Sequence, residues 1–144
     1  MRYLREANSN DLELLYYWVN DDAVRASAFS TGKITPEEHK KWFAQLLERE
    51  DCKQYIFMED GEPIGQVRIN INEECAEIDY SICEDKRCKG YGKEMLAMLT
   101  EQVKQDYPQV QQLVAKVKPD NLASQRVFTD IGYSEKYLFY EMSI

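Results

Sequence analysis

The sequence predicts a single α+β domain in which a mixed, mostly antiparallel sheet is covered by helices. Three β-rich runs follow one another over residues 54–83 and predict an antiparallel meander. Helical patterns precede this meander, and strand and helix signals alternate after it. The length of 144 residues fits one domain, residues 1–144, with a sizeable core.

The first third of the chain supplies one strand and a helical region. Residues 3–5 predict a short strand. Residues 11–20 carry apolar side chains at helical spacing and predict a helix. The stretch 21–33 is less regular, and we expect a partly helical loop there.

A second helix begins at an N-terminal signal around residue 35. Thr35 is the predicted N-cap, Pro36 occupies the first helical position, and Glu38 completes a capping box. The apolar positions that follow extend this helix to about Glu48.

The meander is divided by two polar turns and ends in a strand with one polar side. Residues 60–61 are Asp-Gly, a strong hairpin signal, and residues 72–74 form the second turn. In the third strand Glu77, Asp79 and Ser81 alternate with apolar residues. One side of that strand is therefore unusually polar.

The last third alternates between helices and strands. Residues 90–105 predict a third helix and residues 112–117 a strand. A fourth helix is expected over residues 122–130, ending at Gly132 as a C-cap. An aromatic-rich final strand is expected over residues 133–142.

Composition and charge limit the classes of function. The net charge is -8 and the isoelectric point is near 4.8, which argues against a general nucleic-acid binder because phosphate neutralisation needs a basic surface. No apolar run approaches the length of a membrane span, and the N-terminus has no secretory signal pattern. A cytoplasmic protein without nucleic-acid or membrane partners is therefore expected.

The cysteines do not form a metal-binding pattern. No CxxC pair occurs, and the single histidine, His39, is distant in sequence from all four cysteines. We expect no metal site and read the cysteines as free thiols. Cys88 is a possible exception, because cationic neighbours and a helix N-terminus lower a thiol pKa.

The stretch RCKGYG, residues 87–92, has the composition of an anion-binding turn. Gly90 and Gly92 stand where the third helix begins, among Arg87, Lys89 and Lys93. Main-chain N–H groups at the start of a helix bind anions, and glycine allows close approach. Two other readings stay open: the glycines punctuate a turn, or the basic residues form a solvated helix face.

Two motifs resemble those of the GNAT N-acetyltransferase superfamily. The first is Arg-x-x-Gly-x-Gly opening a helix directly after the strand AEIDYSIC, residues 76–83. The second is NLASQRVFTDIGY, residues 121–133, which is similar to the closing Asn-x-x-Ser, aromatic and Gly-Phe/Tyr pattern of that family. The resemblance covers essentially the whole chain and implies the GNAT fold, with a twisted sheet flanked by about four helices.

The resemblance implies acetyl-CoA as co-substrate and no metal. Main-chain amides of residues 87–92 would hold its pyrophosphate. The backbone of Ser81 and Ile82 would pair with the pantetheine arm, and Asn121 and Ser124 would line its far side. The residues expected to bind the cofactor are Ser81, Ile82, Arg87, Cys88, Lys89, Gly90, Tyr91, Gly92, Lys93, Asn121, Ser124 and Phe128.

The resemblance also suggests catalytic groups. Glu77 is the first candidate for the base that deprotonates the amine, with Asp79 assisting from the same side of the strand. The amide of Ile82 is the candidate donor to the thioester carbonyl. Many relatives place a tyrosine acid at the position of Phe128, so the acid is unassigned here. The alternatives are another group, such as Tyr133, Tyr137, Tyr140 or Ser81, or water.

The N-terminal half is similar to enzymes that acetylate the 4-amino group of nucleotide-linked dideoxy amino sugars, the pseudaminic-acid-pathway type. Arg25 would then meet a nucleotide diphosphate, and Phe29 or Trp42 would stack on a sugar or base. A ribosomal-protein or peptide N-terminal acetyltransferase and a non-catalytic acyl-CoA-binding domain are the alternatives. The protein is expected to be a monomer or a homodimer.

Overall fold

The sheet has five strands, arranged in the order of the sequence. The computed structural model describes residues 1–144. Neighbouring strands are antiparallel from the first to the fourth, and the fifth runs parallel to the fourth. The strands are β1 (Arg2–Glu6), β2 (Cys52–Glu59), β3 (Glu62–Asn72), β4 (Cys75–Ile82) and β5 (Gln112–Val114).

Five helices cover the two faces of this sheet and make three layers. The first and third pack on one face, and the last two pack on the other; the second buries no residue and contacts the first helix. None of the five is long and apolar enough to cross a membrane. The helices are α1 (Leu12–Val19), α2 (Asp22–Ser27), α3 (Pro36–Glu48), α4 (Tyr91–Asp106) and α5 (Leu122–Asp130). The predicted α+β class and the meander are thus confirmed.

The larger core lies between the sheet and α4. Four residues of α4 recur at helical spacing and are buried against the inward side chains of β2, β3 and β4. This burial fixes the start of α4 at the end of β4, where residues 83–90 connect the two elements. The four residues are Met95, Leu96, Leu99 and Val103.

Local hydrogen bonds define how the helices on the opposite face begin. Thr35 accepts a hydrogen bond from the Glu38 N–H at 3.2 Å, as predicted for an N-cap. The reciprocal bond from the Thr35 N–H to the Glu38 carboxylate does not form, so the predicted capping box is only half present. A complete capping box joins Asn8 and Asp11 just before α1 instead.

The C-terminal part differs from the prediction. Residues 133–142 form no strand, and the predicted strand 112–117 stops at Val114. Most large apolar side chains of residues 137–144 are exposed. A strand is stable only when its main chain pairs with a neighbour, and the outermost strand on this side, β5, is only three residues long. The aromatic-rich sequence of the tail therefore lacks a strand of matching length to pair with.

The outer edge of β4 is paired over only part of its length. β5 pairs with Cys75–Glu77, whereas β3 pairs with β4 along all eight residues. Beyond residue 77 the main chain of β4 has an open edge facing α5. The gap where β5 no longer pairs with β4 lies next to the turn that precedes α4.

Candidate active site

The turn before α4 presents a row of unused main-chain donors. Gly90 has φ +85° and begins α4 without a side-chain cap. Cys88 also has a positive φ, +61°, which is strained for a residue with a Cβ. None of the main-chain N–H groups of residues 88–93 donates a hydrogen bond within the protein. The turn therefore offers converging N–H groups at the positive end of a 16-residue helix.

Gly92 is not required by the protein's own geometry. Its φ lies outside the left-handed region, and an added Cβ would meet only the Tyr80 ring at 3.6 Å and Val127 at 3.9 Å. These are ordinary contacts. A glycine that neither backbone nor packing demands is typical of a position that a ligand approaches closely.

The basic side chains around the turn are all engaged within the protein. The guanidinium of Arg87 donates to Asp21 at 2.9 Å and to the Ile82 carbonyl at 2.9 Å. Lys93 pairs with Asp130 at 2.6 Å. Lys89 donates to a main-chain carbonyl, and Lys86 pairs with Glu59. The main chain of the turn, rather than its side chains, is left free for an anion.

Alternation along β4 decides which main-chain groups face its open edge. The Cys83 N–H donates to the Ile64 carbonyl on the β3 side. Because successive residues of a strand point to opposite edges, Ser81 also faces β3, whereas Ile82 faces the open edge. The Ile82 carbonyl accordingly accepts from Arg87 rather than from β3. Of the two backbone positions expected to meet the pantetheine arm, only Ile82 lies on the open edge.

The start of α5 lies across the gap from β4. Asn121 is the N-cap of α5 and accepts from the Ser124 N–H at 3.2 Å. The hydroxyl groups of Ser124 and Tyr80 are 2.7 Å apart and hydrogen-bonded. Phe128 is buried and packs edge-on against Tyr80 and Tyr133. Ser124 and Phe128 thus lie on the side of α5 that faces β4, and Asn121 lies at the start of the same helix.

The Tyr133 hydroxyl stands out because it is buried without a hydrogen-bond partner. Burial raises the pKa of this hydroxyl to about 12. Burial also raises the pKa of Tyr80. Both phenols therefore remain protonated at neutral pH.

A cavity of about 600 Å³ lies between the first two helices and the end of β4. A second cavity of about 350 Å³ adjoins it and shares Pro63, Cys83 and Asp85. The larger one has a mixed apolar and acidic wall. Its lining residues are Leu14, Tyr17, Trp18, Asp21, Val24, Pro63, Ser81, Ile82, Cys83, Glu84, Asp85 and Arg87.

The two carboxylates expected to act as bases lie on the polar side of β4 but outside the cavity wall. Glu77 forms an ion pair with Lys116 at 3.3 Å. Asp79 accepts from the Gln66 amide at 3.4 Å and lies 3.8 Å from Arg68. Gln66 is hydrogen-bonded both to Asp79 and to Ser81, which lines the cavity. No hydrogen bond connects Glu77 to a residue of the cavity wall.

The three residues expected to bind the acceptor are not brought together. The Arg25 guanidinium donates to the carbonyls of Val19, Ser30 and Gly32 and so holds its own loop. Phe29 is 69% exposed. Trp42, on α3, lies against the guanidinium of Arg68. None of the three lines the cavity.

Several residues of the site were missed by sequence reasoning. Asp21 carries a helix-start signal but nothing that links it to Arg87, 66 positions away. Glu84 and Asp85 adjoin the basic turn, and their acidity was the available signal. Gln66, a polar residue within an apolar strand run, was the other.

Metal-binding groups are absent from the structure. No three side chains among His, Cys, Asp and Glu are grouped so as to hold a metal ion. All four cysteines are free thiols, and Cys88 is exposed. Burial, together with a hydrogen bond to Asp85, raises the pKa of Cys83 to about 11.

The family comparison agrees with this geometry. The model of the acetyltransferase (GNAT) domain family matches residues 2–134. The uncharacterised N-acetyltransferase YfmK of Bacillus subtilis (strain 168) is 28% identical over 125 residues, which cover 86% of this chain and 79% of that protein.

Solved structures share the fold. The aminoglycoside acetyltransferase AAC(6')-Ib in complex with coenzyme A superposes with a TM-score of 0.82 at 22% identity, over 94% of this chain and 86% of that chain. Spermidine N-acetyltransferase from Vibrio cholerae, with coenzyme A and spermine, gives a TM-score of 0.85 at 16% identity, over 99% and 87%.

Proposed function

The chain belongs to the GNAT acetyltransferase family and is an acetyl-CoA-dependent N-acetyltransferase, and we propose that its acceptor is a small amine with more than one positive charge. Acetyl-CoA supplies the activated thioester. The residues of this chain bind and orient the two substrates and take up the proton that the amine must lose.

Free negative charge in the cavities carries the proposal. Glu62, Glu84 and Asp85 line the two cavities and have no ion-pair partner. The two basic lining residues, Arg87 and Lys86, are both paired with carboxylates. The uncompensated charge is therefore negative, which favours a cationic acceptor over an anionic one.

The apolar wall suits the carbon chain of such an amine. Tyr17 and Trp18 of α1 place two aromatic rings in the cavity wall, beside Leu14. Aromatic faces attract ammonium groups, and apolar side chains cover methylene segments. An acceptor with amino groups separated by carbon segments, such as a polyamine or a polyamino sugar, matches this combination.

The nucleotide-linked amino sugar expected from the sequence is the alternative acceptor. It needs a cation for its diphosphate, and the hydrogen bonds of Arg25 are all directed at its own loop. The acidic cavity wall would repel the diphosphate. We therefore place this acceptor, and a peptide N-terminus, second to the polycationic amine.

We propose Asp79 as the base ahead of Glu77. The Gln66 amide donates to both Asp79 and Ser81 and so holds this carboxylate beside the cavity wall, where a bridging water would carry the proton of the amine to it. Glu77 comes four residues before Ser81 in β4, roughly 13 Å from it at the rise of a β-strand, and is paired with Lys116.

For the cofactor we propose that the free N–H groups of residues 88–93 bind the pyrophosphate, and that Ile82 pairs with the pantetheine arm at the open edge of β4. Asn121, Ser124 and Phe128 then face the arm from α5. These residues fit the group because the donors are unpaired and the edge is open.

The test is thiol release from acetyl-CoA with a panel of acceptors. The panel contains spermidine, an aminoglycoside, a UDP-linked 4-amino-4,6-dideoxy sugar and a peptide with a free N-terminus. Turnover on the polycationic amines is expected, and it should fall as ionic strength rises because the attraction is screened. Turnover confined to the UDP-sugar or to the peptide would refute the proposal, and binding of coenzyme A without turnover on any of them would favour a binding domain.

Variants of the acidic wall test the same point. Glu84→Gln with Asp85→Asn should raise KM for spermidine about tenfold, since each surface charge contributes about 0.5–1 kcal/mol. Glu135→Gln, an exposed and unpaired carboxylate in the tail, is the matched control and should leave KM unchanged. Equal KM values in the acidic-wall variant and the control would contradict the proposal.

A further inference from the structure

A chain of three hydrogen-bonded side chains crosses the sheet and ends in the cavity. Gln54 on β2 donates from Nε2 to Oε1 of Gln66 on β3 at 2.7 Å. Gln66 in turn donates from Nε2 to Oγ of Ser81 on β4 at 3.2 Å. Gln54 and Gln66 are only 4% and 9% exposed, and Ser81 lines the cavity wall.

The orientation of each amide in this chain is determined by its partners. Nε2 of Gln54 also lies 3.2 Å and 3.3 Å from the main-chain carbonyls of Tyr55 and Val67, which only accept hydrogen bonds. The Gln54 amide group must therefore point its N–H₂ towards them and towards Gln66. Gln66 is then left with its oxygen facing Gln54 and its own N–H₂ facing Ser81.

The contact between Gln66 and Asp79 independently indicates the same orientation of the Gln66 amide. Nε2 of Gln66 is 3.4 Å from the Asp79 carboxylate, which accepts and does not donate when ionised. Ser81 consequently receives a hydrogen bond from Gln66, and its own O–H proton is directed elsewhere. That hydroxyl donates to no group of the protein, so its proton is available to the cavity.

Two buried amides in the middle of an otherwise apolar sheet are costly unless each is fully paired. Their neighbours along β2 and β3, including Ile56, Val67 and Ile69, are apolar and buried. Apolar side chains at positions 54 and 66 would serve the core at least as well. The amide pair is thus explained by what it does to Ser81 rather than by stability.

We propose that Gln54 and Gln66 are positioning residues that set the Ser81 hydroxyl as a hydrogen-bond donor to the acyl carbonyl oxygen of the bound thioester. Ser81 and Ile82 both line the cavity, and the main chain of Ile82 faces the open edge of β4, so the Ser81 hydroxyl lies where the acyl group and the amine must meet. This inference rests on the proposed use of that cavity and edge by the two substrates.

The role follows from electrostatics. Negative charge develops on the carbonyl oxygen when the amine attacks, and a donor already oriented towards it stabilises that charge without reorganisation. The hydrogen bond from Gln66 polarises the hydroxyl and makes it a stronger donor. Loss of one such donor reduces kcat by about 10²-fold or more.

The first experiment observes the hydroxyl without turnover. Isotope-edited infrared spectra of [1-¹³C]acetyl-CoA bound to the enzyme, without acceptor, report the strength of hydrogen bonding to the thioester carbonyl. We expect the carbonyl band of the wild-type complex to move to higher wavenumber in Ser81→Ala and, less far, in Gln66→Met. Ser81→Thr, which keeps the hydroxyl, should restore the band, and Ser134→Ala in the exposed tail should not affect it.

Kinetics and binding separate this inference from the proposed function. Ser81→Ala should lower kcat about 10²-fold while the Kd for coenzyme A, which has no acyl group, stays unchanged. An identical carbonyl band in wild type and Ser81→Ala, with coenzyme A bound and polyamine turnover intact in both, would overturn the role of Ser81 and leave the proposed function standing. Wild-type enzyme that binds no acetyl-CoA would overturn both.

Discussion

Arg87, at the turn before α4, is hydrogen-bonded to Asp21, the N-cap of α2, at 2.9 Å across the cavity. The same guanidinium donates to the Ile82 carbonyl at the end of β4. One side chain therefore joins the N-terminal helices to the strand that leads into the turn before α4. Substitution of Arg87 or Asp21 should therefore increase the mobility of the cavity wall more than that of the core between the sheet and α4.

The charge of Asp21 is expected to stabilise the fold. Asp21→Asn keeps an N-cap residue for α2 but removes the carboxylate that Arg87 contacts. The free energy of unfolding at neutral pH should fall by about 1–2 kcal/mol, measured by urea denaturation, because both side chains are mostly buried. Asp22→Asn, whose carboxylate is 99% exposed, should cost less than about 0.5 kcal/mol. Equal effects would contradict the account.

The same contact predicts a pH dependence. Burial raises the pKa of Asp21, but the hydrogen bonds from Arg87 and from two N–H groups of α2 outweigh it, so the pKa lies below the ordinary 3.8. A lowered carboxyl pKa contributes stability that is present above 3.8 and is lost as pH falls below it. The difference in unfolding free energy between wild type and Asp21→Asn should therefore shrink in acid. A constant difference would count against the ion pair.

The two glycines of the turn are expected to separate stability from binding. Gly90→Ala places a Cβ at φ +85° and should cost about 1–2 kcal/mol. Gly92→Ala is free of strain and should leave thermal stability equal or slightly higher. Its methyl group would lie between Tyr80 and Val127, so coenzyme A binding by calorimetry should weaken about tenfold or more. An unchanged Kd would show that nothing approaches Gly92.

The hydroxyl pair of Tyr80 and Ser124 should contribute to the attachment of α5 to β4. Tyr80→Phe should lower the free energy of unfolding by about 0.5–1.5 kcal/mol. Ser124→Ala removes the other partner, and a double-mutant cycle should give a coupling energy of about 1 kcal/mol. Additive single changes would mean that the two hydroxyl groups do not interact in solution.

The buried Tyr133 hydroxyl should be a net cost. Tyr133→Phe keeps the ring that packs on Phe128 and removes a polar group without a partner, so stability should rise by about 1 kcal/mol. Tyr137→Phe, at a position 75% exposed, is the control and should have no effect on the unfolding midpoint. A lower midpoint for Tyr133→Phe would reveal a partner for the hydroxyl.

The sheet was predictable because its signals are local. Alternating apolar residues and the Asp-Gly turn specify the meander, and the periodic apolar residues of α4 specify its buried face. The tail after Gly132 was predicted wrongly because strand propensity depends on a neighbouring strand, and β5 ends at Val114. No pattern within residues 133–142 reveals whether such a neighbour is present.

The candidate site also has one part that local sequence predicts and one part that depends on distant residues. The turn with unpaired N–H groups was predictable from residues 87–92, since its glycines and helix start are contiguous in the sequence; its use by the cofactor stays a prediction. The larger cavity is assembled from three distant segments. The charge of its surroundings depends on pairing: Arg25 is turned towards its own loop, and Arg87 is neutralised by Asp21. A cationic residue in the sequence therefore does not indicate a positive cavity.

The placement of the two tryptophans gives the protein an intrinsic optical probe. Trp18 is in the cavity wall, whereas Trp42 lies on α3 against Arg68. Trp42→Phe would leave Trp18 as the single indole fluorophore. Its emission would then follow occupancy of the cavity without any label, so the order in which cofactor and amine bind could be read by stopped-flow fluorescence before any acetyl group is transferred.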